Sequence, residues 1–229
     1  EIPDKSRPHP WQRTKGLAAS RAPRRRRAGY AELAVASNFS FLTGASHADE
    51  LVRQAAALDH RAIAITDVNS LAGIVRAHVA AKEAGLPLIV GSRLRLDEPA
   101  GLSLLIYATD RDSYGRLCRL LTTGKRRATK GKCRLDLHDV LEHNPGLLAA
   151  VEPPDTIDEP VVEAVRGLGG AFDDDRLSLA ASCLYAGDDA SRLRRLADLA
   201  DHTGVPLVAT NDVHYHHPER RMLQDVLAC

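Results

Sequence analysis

The sequence predicts a parallel α/β architecture, an open sheet or a closed barrel, on three observations. Short apolar runs alternate with helical patterns over some 200 of the 229 residues. Helix-start and helix-stop residues fall between those runs. The balance of 44% hydrophobic and 27% charged residues is that of a globular chain able to bury a sizeable core.

Taken in order, residues 1–29 combine Pro3, Pro8, Pro10 and Pro23 with the basic run Arg24 to Arg27 and no apolar periodicity, which is the composition of a basic, disordered tail. Structure is expected from about Tyr30, with one domain over 30–229. Strands are predicted at Glu32 to Val35, Ala62 to Thr66, Leu88 to Val90, Leu102 to Tyr107, Leu147 to Val151, Leu177 to Ala181 and Pro206 to Thr210. Helices are predicted at about His47 to Leu58, Ser70 to Ala84, Asp112 to Thr122, Leu137 to Glu142, Glu159 to Gly167, Ala190 to Thr203 and Pro218 onward. Ser46 followed by Asp49 resembles a capping box, and Gly85 with Pro87 closes the second helix. Near the end, Leu223, Val226 and Leu227 form an apolar face expected to pack on later residues or on the barrel end.

Thirty-one Lys and Arg against thirty Asp and Glu leave a net charge of +1, so attraction for nucleic acid must come from local patches. Cys118, Cys133, Cys183 and Cys229 form no C-x-x-C, which argues against a zinc ribbon or a disulfide framework. The expected state is reduced thiols in a cytoplasmic protein. No apolar run is long enough to span a bilayer, and the expectation is of no membrane association.

In parallel α/β proteins functional residues follow the C-terminal ends of strands. Those segments are Ser37-Asn38-Phe39-Ser40, Asp67-Val68-Asn69, Gly91-Ser92-Arg93 and Asn211-Asp212-Val213-His214. Residues 30–46, 64–73, 88–93 and 207–215 resemble, in order and spacing, four motifs of the PHP (polymerase and histidinol phosphatase) domain family. The wording at 37–46, 76–85 and 218–229 is most similar to the bacterial error-prone, translesion paralogue of the DNA polymerase III alpha subunit.

That resemblance implies a distorted (β/α)7 TIM-like barrel preceding the other domains of a longer DNA polymerase. Its nucleotidyl transfer with Mg would then be carried elsewhere in the parent chain, and the parent would engage DNA. Family members bind a cluster of metals through His, Asp and Glu and hydrolyse phosphoesters. The matching positions here are Ala34, Ala36, Thr43, Val68, Arg93 and Ser103, which are not ligands, and only Asp212 and His214 survive. The expectation is therefore a vestigial metal site, no catalytic residue and no bound cofactor, the alternative being a metal-dependent phosphoesterase or 3'-5' exonuclease. Arg93 is expected to stand in for the lost cations by pairing with Asp212. Asp67 is expected to support the site structurally, its plain role being to cap the loop before the next helix.

Lys125, Arg126 and Arg127, with Lys130, Lys132 and Arg134, place six cations in ten residues, read either as a mobile basic loop without neutralising carboxylates or as a DNA contact. His214, His216 and His217 read as exposed loop histidines, and Asp173 to Asp175 as a solvated acidic turn.

Overall fold

The computed structural model describes residues 29–172 and 175–229. The expected tail and its Arg24 to Arg27 run, like Asp173 and Asp174, lie outside those residues. Seven strands form one sheet in sequence order: β1 (Ala31–Glu32), β2 (Ala62–Ile65), β3 (Leu88–Arg95), β4 (Ser103–Ala108), β5 (Leu147–Glu152), β6 (Leu177–Ala181) and β7 (Leu207–Ala209). The helices are α1 (Ala48–Ala57), α2 (Ile74–Ala84), α3 (Arg111–Arg127), α4 (Leu137–His143), α5 (Glu159–Ala171), α6 (Asp189–Thr203) and α7 (Arg221–Ala228), the last preceded by a 3-10 turn at Pro218–Arg220.

The sheet curls until its first and last segments meet. Val35 pairs in parallel with Val213, Ala36 N–H donating to Val213 O (2.9 Å) and Val213 N–H to Ala34 O (2.8 Å). Below that pair the seam is held by a side chain. Glu32, 2% exposed, accepts at Oε1 from Leu33 N, Ala34 N, Asn211 N and the Thr210 hydroxyl, and at Oε2 from the Tyr30 hydroxyl.

Alternation along each strand divides the residues between two faces. Outward-facing Leu94, Leu104, Ile106, Leu147, Val151, Leu177 and Leu179 join Leu117, Leu120, Val165 and Leu168 of the helices in the main core. Inward-facing Ala34, Ala64, Leu105, Tyr107, Ala150 and Ala180 fill the barrel. Gly91 on β3 makes room there: a Cβ would lie 2.7 Å from Ile106 O and 2.9 Å from the Tyr107 ring. That space lets the Tyr107 hydroxyl reach Leu33 O at 3.0 Å.

Most boundaries fall near the expected ones, and four readings change. The sheet is mixed, because β4 is antiparallel to both β3 and β5. An apolar run carries no sign of strand direction. Gly91-Ser92-Arg93 is not an exit loop but the middle of β3, whose polar residues are accommodated inside the barrel and against the β2 loop, the Ser92 hydroxyl donating to Asp67 O. The α1 cap sits one residue later than expected: Glu50 accepts from His47 N–H at 2.9 Å, whereas Ser46 is bonded to His216. Finally, α7 does not pack on the barrel end. None of its side chains is buried, and Val226 is 70% exposed.

Candidate functional site

Six of the seven strands finish at one end of the barrel, and the side chains that leave there define its mouth. Arg93, two residues beyond Gly91 on the inward face of β3, is 7% exposed. Its Nη2 donates to Asp212 Oδ1 at 2.5 Å and to Glu152 Oε1 at 3.0 Å. Its Nε lies 2.9 Å from Glu152 Oε2, without the alignment of a hydrogen bond. Asp212 follows β7 in the left-handed region (φ 48°), a conformation that Asp tolerates better than most residues and that turns its carboxylate into the mouth. His214 Nε2 approaches the same Oδ1 at 3.3 Å.

The electrostatics follow from one cation shared by two acids. Burial pushes the Asp212 carboxyl up, but the close approach of His214 and the Arg93 charge outweigh it and hold the group well below the usual carboxylate range. For Glu152 burial prevails, and its neighbour Asp212 adds to it, so the carboxyl sits above its ordinary value despite Arg93. Burial alone would ease a proton off Arg93, yet Glu152 and then Asp212 raise its affinity, and the guanidinium stays charged. Tyr107, beneath it, is pushed far up by burial and then by Glu152, so the phenol stays neutral.

Ala34 and Ala36 are buried apolar residues beside the β1–β7 seam, Val68 pairs with the Arg93 backbone, and Ser103 lies opposite Arg95 and Glu152 in the β4 register. The donor set does not fit a metal cluster. The carboxylate oxygens of the mouth face a guanidinium, and among the described residues no three His, Cys, Asp or Glu side chains are placed to hold an ion.

Asp67 is elsewhere and does different work from the cap expected of it. Buried at 1% exposure, it accepts from Ser37 N, the Ser37 hydroxyl and the Ser40 hydroxyl, each at 2.8 Å. It clasps the loop after β1 and caps no helix of its own. Burial raises its pKa although those hydrogen bonds pull the other way.

The basic residues are not a mobile loop. Lys125, Arg126 and Arg127 form the last turn of α3; Lys130, Lys132 and Arg134 lie in the connection to α4. Arg127 is neutralised, its Nη1 lying 2.6 Å from Asp139 Oδ2 of α4, and Arg134 pairs with Asp97 at 2.9 Å. His214 and His216 are half-buried rather than exposed, and the Ser46 hydroxyl accepts from His216 N–H at 3.0 Å.

Two carboxylates escaped the sequence reading. Glu152 was passed over because the apolar run of β5 ends at Val151, although an acid at a strand's C-terminal end is itself a site signal. Glu32 sat inside a predicted strand and carried no signal beyond being an acid among apolar residues.

Comparison with known proteins gives a consistent result. The family model described as PHP domain matches residues 32–174. Error-prone DNA polymerase of Caulobacter vibrioides is 50% identical over 200 residues, covering 87% of this chain and 18% of that protein. Error-prone DNA polymerase 1 of Agrobacterium fabrum is 48% identical over 200 residues with the same coverage. The chain thus spans under a fifth of these relatives' length. Among solved structures, one from Bifidobacterium adolescentis whose description names a metal-dependent phosphoesterase superposes with a TM-score of 0.61 at 15% identity, covering 82% of this chain and 88% of that one. An amidohydrolase from Chromobacterium violaceum, with bound sulfate and no metal, superposes at 0.56 and 17% identity with the same coverage. At such identities these structures speak for the fold alone.

Proposed function

The chain belongs to the PHP domain family, and from that premise we propose that it is the PHP domain of a bacterial error-prone DNA polymerase, acting in translesion synthesis and repair as a non-catalytic support for the rest of that enzyme. The observation that carries the non-catalytic reading is the Arg93 guanidinium held between Glu152 and Asp212. A hydrolytic metal centre uses carboxylates and imidazoles to hold cations that activate water. Here a permanent cation fixed by the fold meets the carboxylates instead, and it can neither ionise water nor exchange. The ion pairs join β3, β5 and the segment that follows β7, so the cluster ties one side of the barrel mouth to the other.

On this reading nucleotidyl transfer, its Mg and the principal DNA contacts belong to the remaining domains of the parent chain, which are this domain's partners, and the setting is the cytoplasm. No helix among the described residues is long and apolar enough to cross a membrane. The test is elemental analysis of the 229-residue chain purified without chelator, together with phosphoesterase assays. Well below one transition-metal ion per chain and no hydrolysis are expected. Two or three tightly bound ions with phosphodiester cleavage would replace this reading by that of an active phosphoesterase or 3'-5' exonuclease.

A further inference from the structure

The charge of the chain is unevenly placed. Residues 111–134 carry nine Lys and Arg against one acid, Asp112, whereas the rest of the chain from residue 29 carries thirteen against twenty-seven. A strongly basic strip on an otherwise acidic body concentrates a local field for polyanions that the net charge of +1 conceals.

The strip has shape as well as charge. Leu117, Leu120, Leu121 and Gly124 turn one face of α3 into the core. The opposite face carries Arg119, Thr122, Thr123 and Arg126, which with Arg127 and His143 line an open groove of about 600 Å³ between α3 and the end of α4. Arg119 and Arg126 are seven residues, about 10 Å, apart along the axis. Neither is paired with a carboxylate among the described residues. Arg127 is the exception: its bond to Asp139 fixes α4 against α3 and so holds the groove's wall. Tyr114, 41% exposed, lies five residues before Arg119 and one turn before Cys118, which lines the groove.

We propose that this groove binds single-stranded nucleic acid, with Arg119 and Arg126 on phosphates, the Thr123 hydroxyl beside them, and the Tyr114 ring as a stacking surface for a base; the Thr122 hydroxyl is already donated to Cys118 O at 2.7 Å. Helix-terminal charge compensation accounts for Lys125 to Arg127 but not for Arg119, which lies two turns back from the end. An exposed aromatic ring interleaved with cations suits a strand whose bases are free to stack, and a duplex offers no such base. The inference deepens the polymerase reading by assigning this domain a nucleic-acid contact of its own.

The experiment is fluorescence anisotropy of the full 229-residue chain with labelled oligothymidylate across a KCl series, each variant first checked for an unchanged melting curve. Arg119→Ala/Arg126→Ala should weaken binding roughly ten-fold or more and reduce the slope of log affinity against log salt by about 1.4, two phosphate contacts at about 0.7 each. Tyr114→Ala should weaken binding with the slope unchanged, and Arg194→Ala on α6 should do nothing. The proposal is overturned if the double variant binds like the parent, if replacing Arg24 to Arg27 by Ala removes all binding, or if duplex DNA of equal length binds more tightly. None of these results touches the metal content, so the two readings fail separately.

Discussion

Arg93 is a residue whose substitution distinguishes a structural charge from a catalytic one. Arg93→Glu places three carboxylates in one buried space with no cation, and we expect a loss of about 3 kcal/mol or more in urea denaturation, with no gain in metal content. The pH dependence carries a sign. Asp212 has a folded-state pKa below its unfolded value, so its contribution is fully present above the ordinary carboxylate range and is lost as pH falls below it. Glu152 is shifted the other way and contributes the opposite sign on acidification. Thermal melts between pH 7 and pH 3 should therefore show a shallower acid decline for Asp212→Asn than for the parent, while Glu152→Gln retains the decline. Of these residues, Arg93 and Asp212 were legible because each matches a motif position; Glu152 offered only its place at the end of an apolar run, and its role becomes plain through a partner 59 residues away.

At the scale of elements, the misjudged stretches are those where polar residues serve the interior. The β3 strand was read as ending at Val90 because Gly91, Ser92 and Arg93 resemble loop residues, but the interior has a use for each of them. Gly91→Ala would drive a methyl against the Ile106 carbonyl and the Tyr107 ring, and a clear drop in melting temperature is expected. The end of α3 was placed at Thr122 because beyond it the apolar spacing gives way to charge. The helix continues to Arg127 because Asp139 waits on α4 to receive that residue. Lys125→Ala and Arg126→Ala should each stay within about 0.5 kcal/mol of the parent. Arg127→Ala should lower the denaturation midpoint more than either, because it abandons a buried carboxylate that already has one unpartnered oxygen.

For the whole molecule, alternation of strands and helices was enough to read the architecture, while closure and strand direction were not, since both depend on contacts between distant segments. Closure is made by the Val35–Val213 backbone pair, by Glu32 and, above them, by Ala45 N–H donating to His214 O and His216 N–H to the Ser46 hydroxyl. Glu32→Ala would strand two buried or half-buried N–H groups and a buried hydroxyl at the seam, with an expected cost above about 3 kcal/mol in chemical denaturation. Glu32→Gln, which keeps an acceptor, should cost less, and equal losses for the two would show that the carboxylate's charge rather than its acceptor geometry closes the barrel.

The reversed strand also sets the backbone field around the mouth. Because β5 and β6 point toward it, α5 and α6 begin there, as do α1 and α2, and each turns the positive end of its peptide dipole toward that pole. By contrast α3, which follows β4, arrives with its negative end, and its last turn supplies three cations to answer it. The pole is therefore electropositive in its main chain before any side chain is counted. A cluster of one guanidinium and two carboxylates, negative by one unit when both acids are ionised, is what such a surrounding favours.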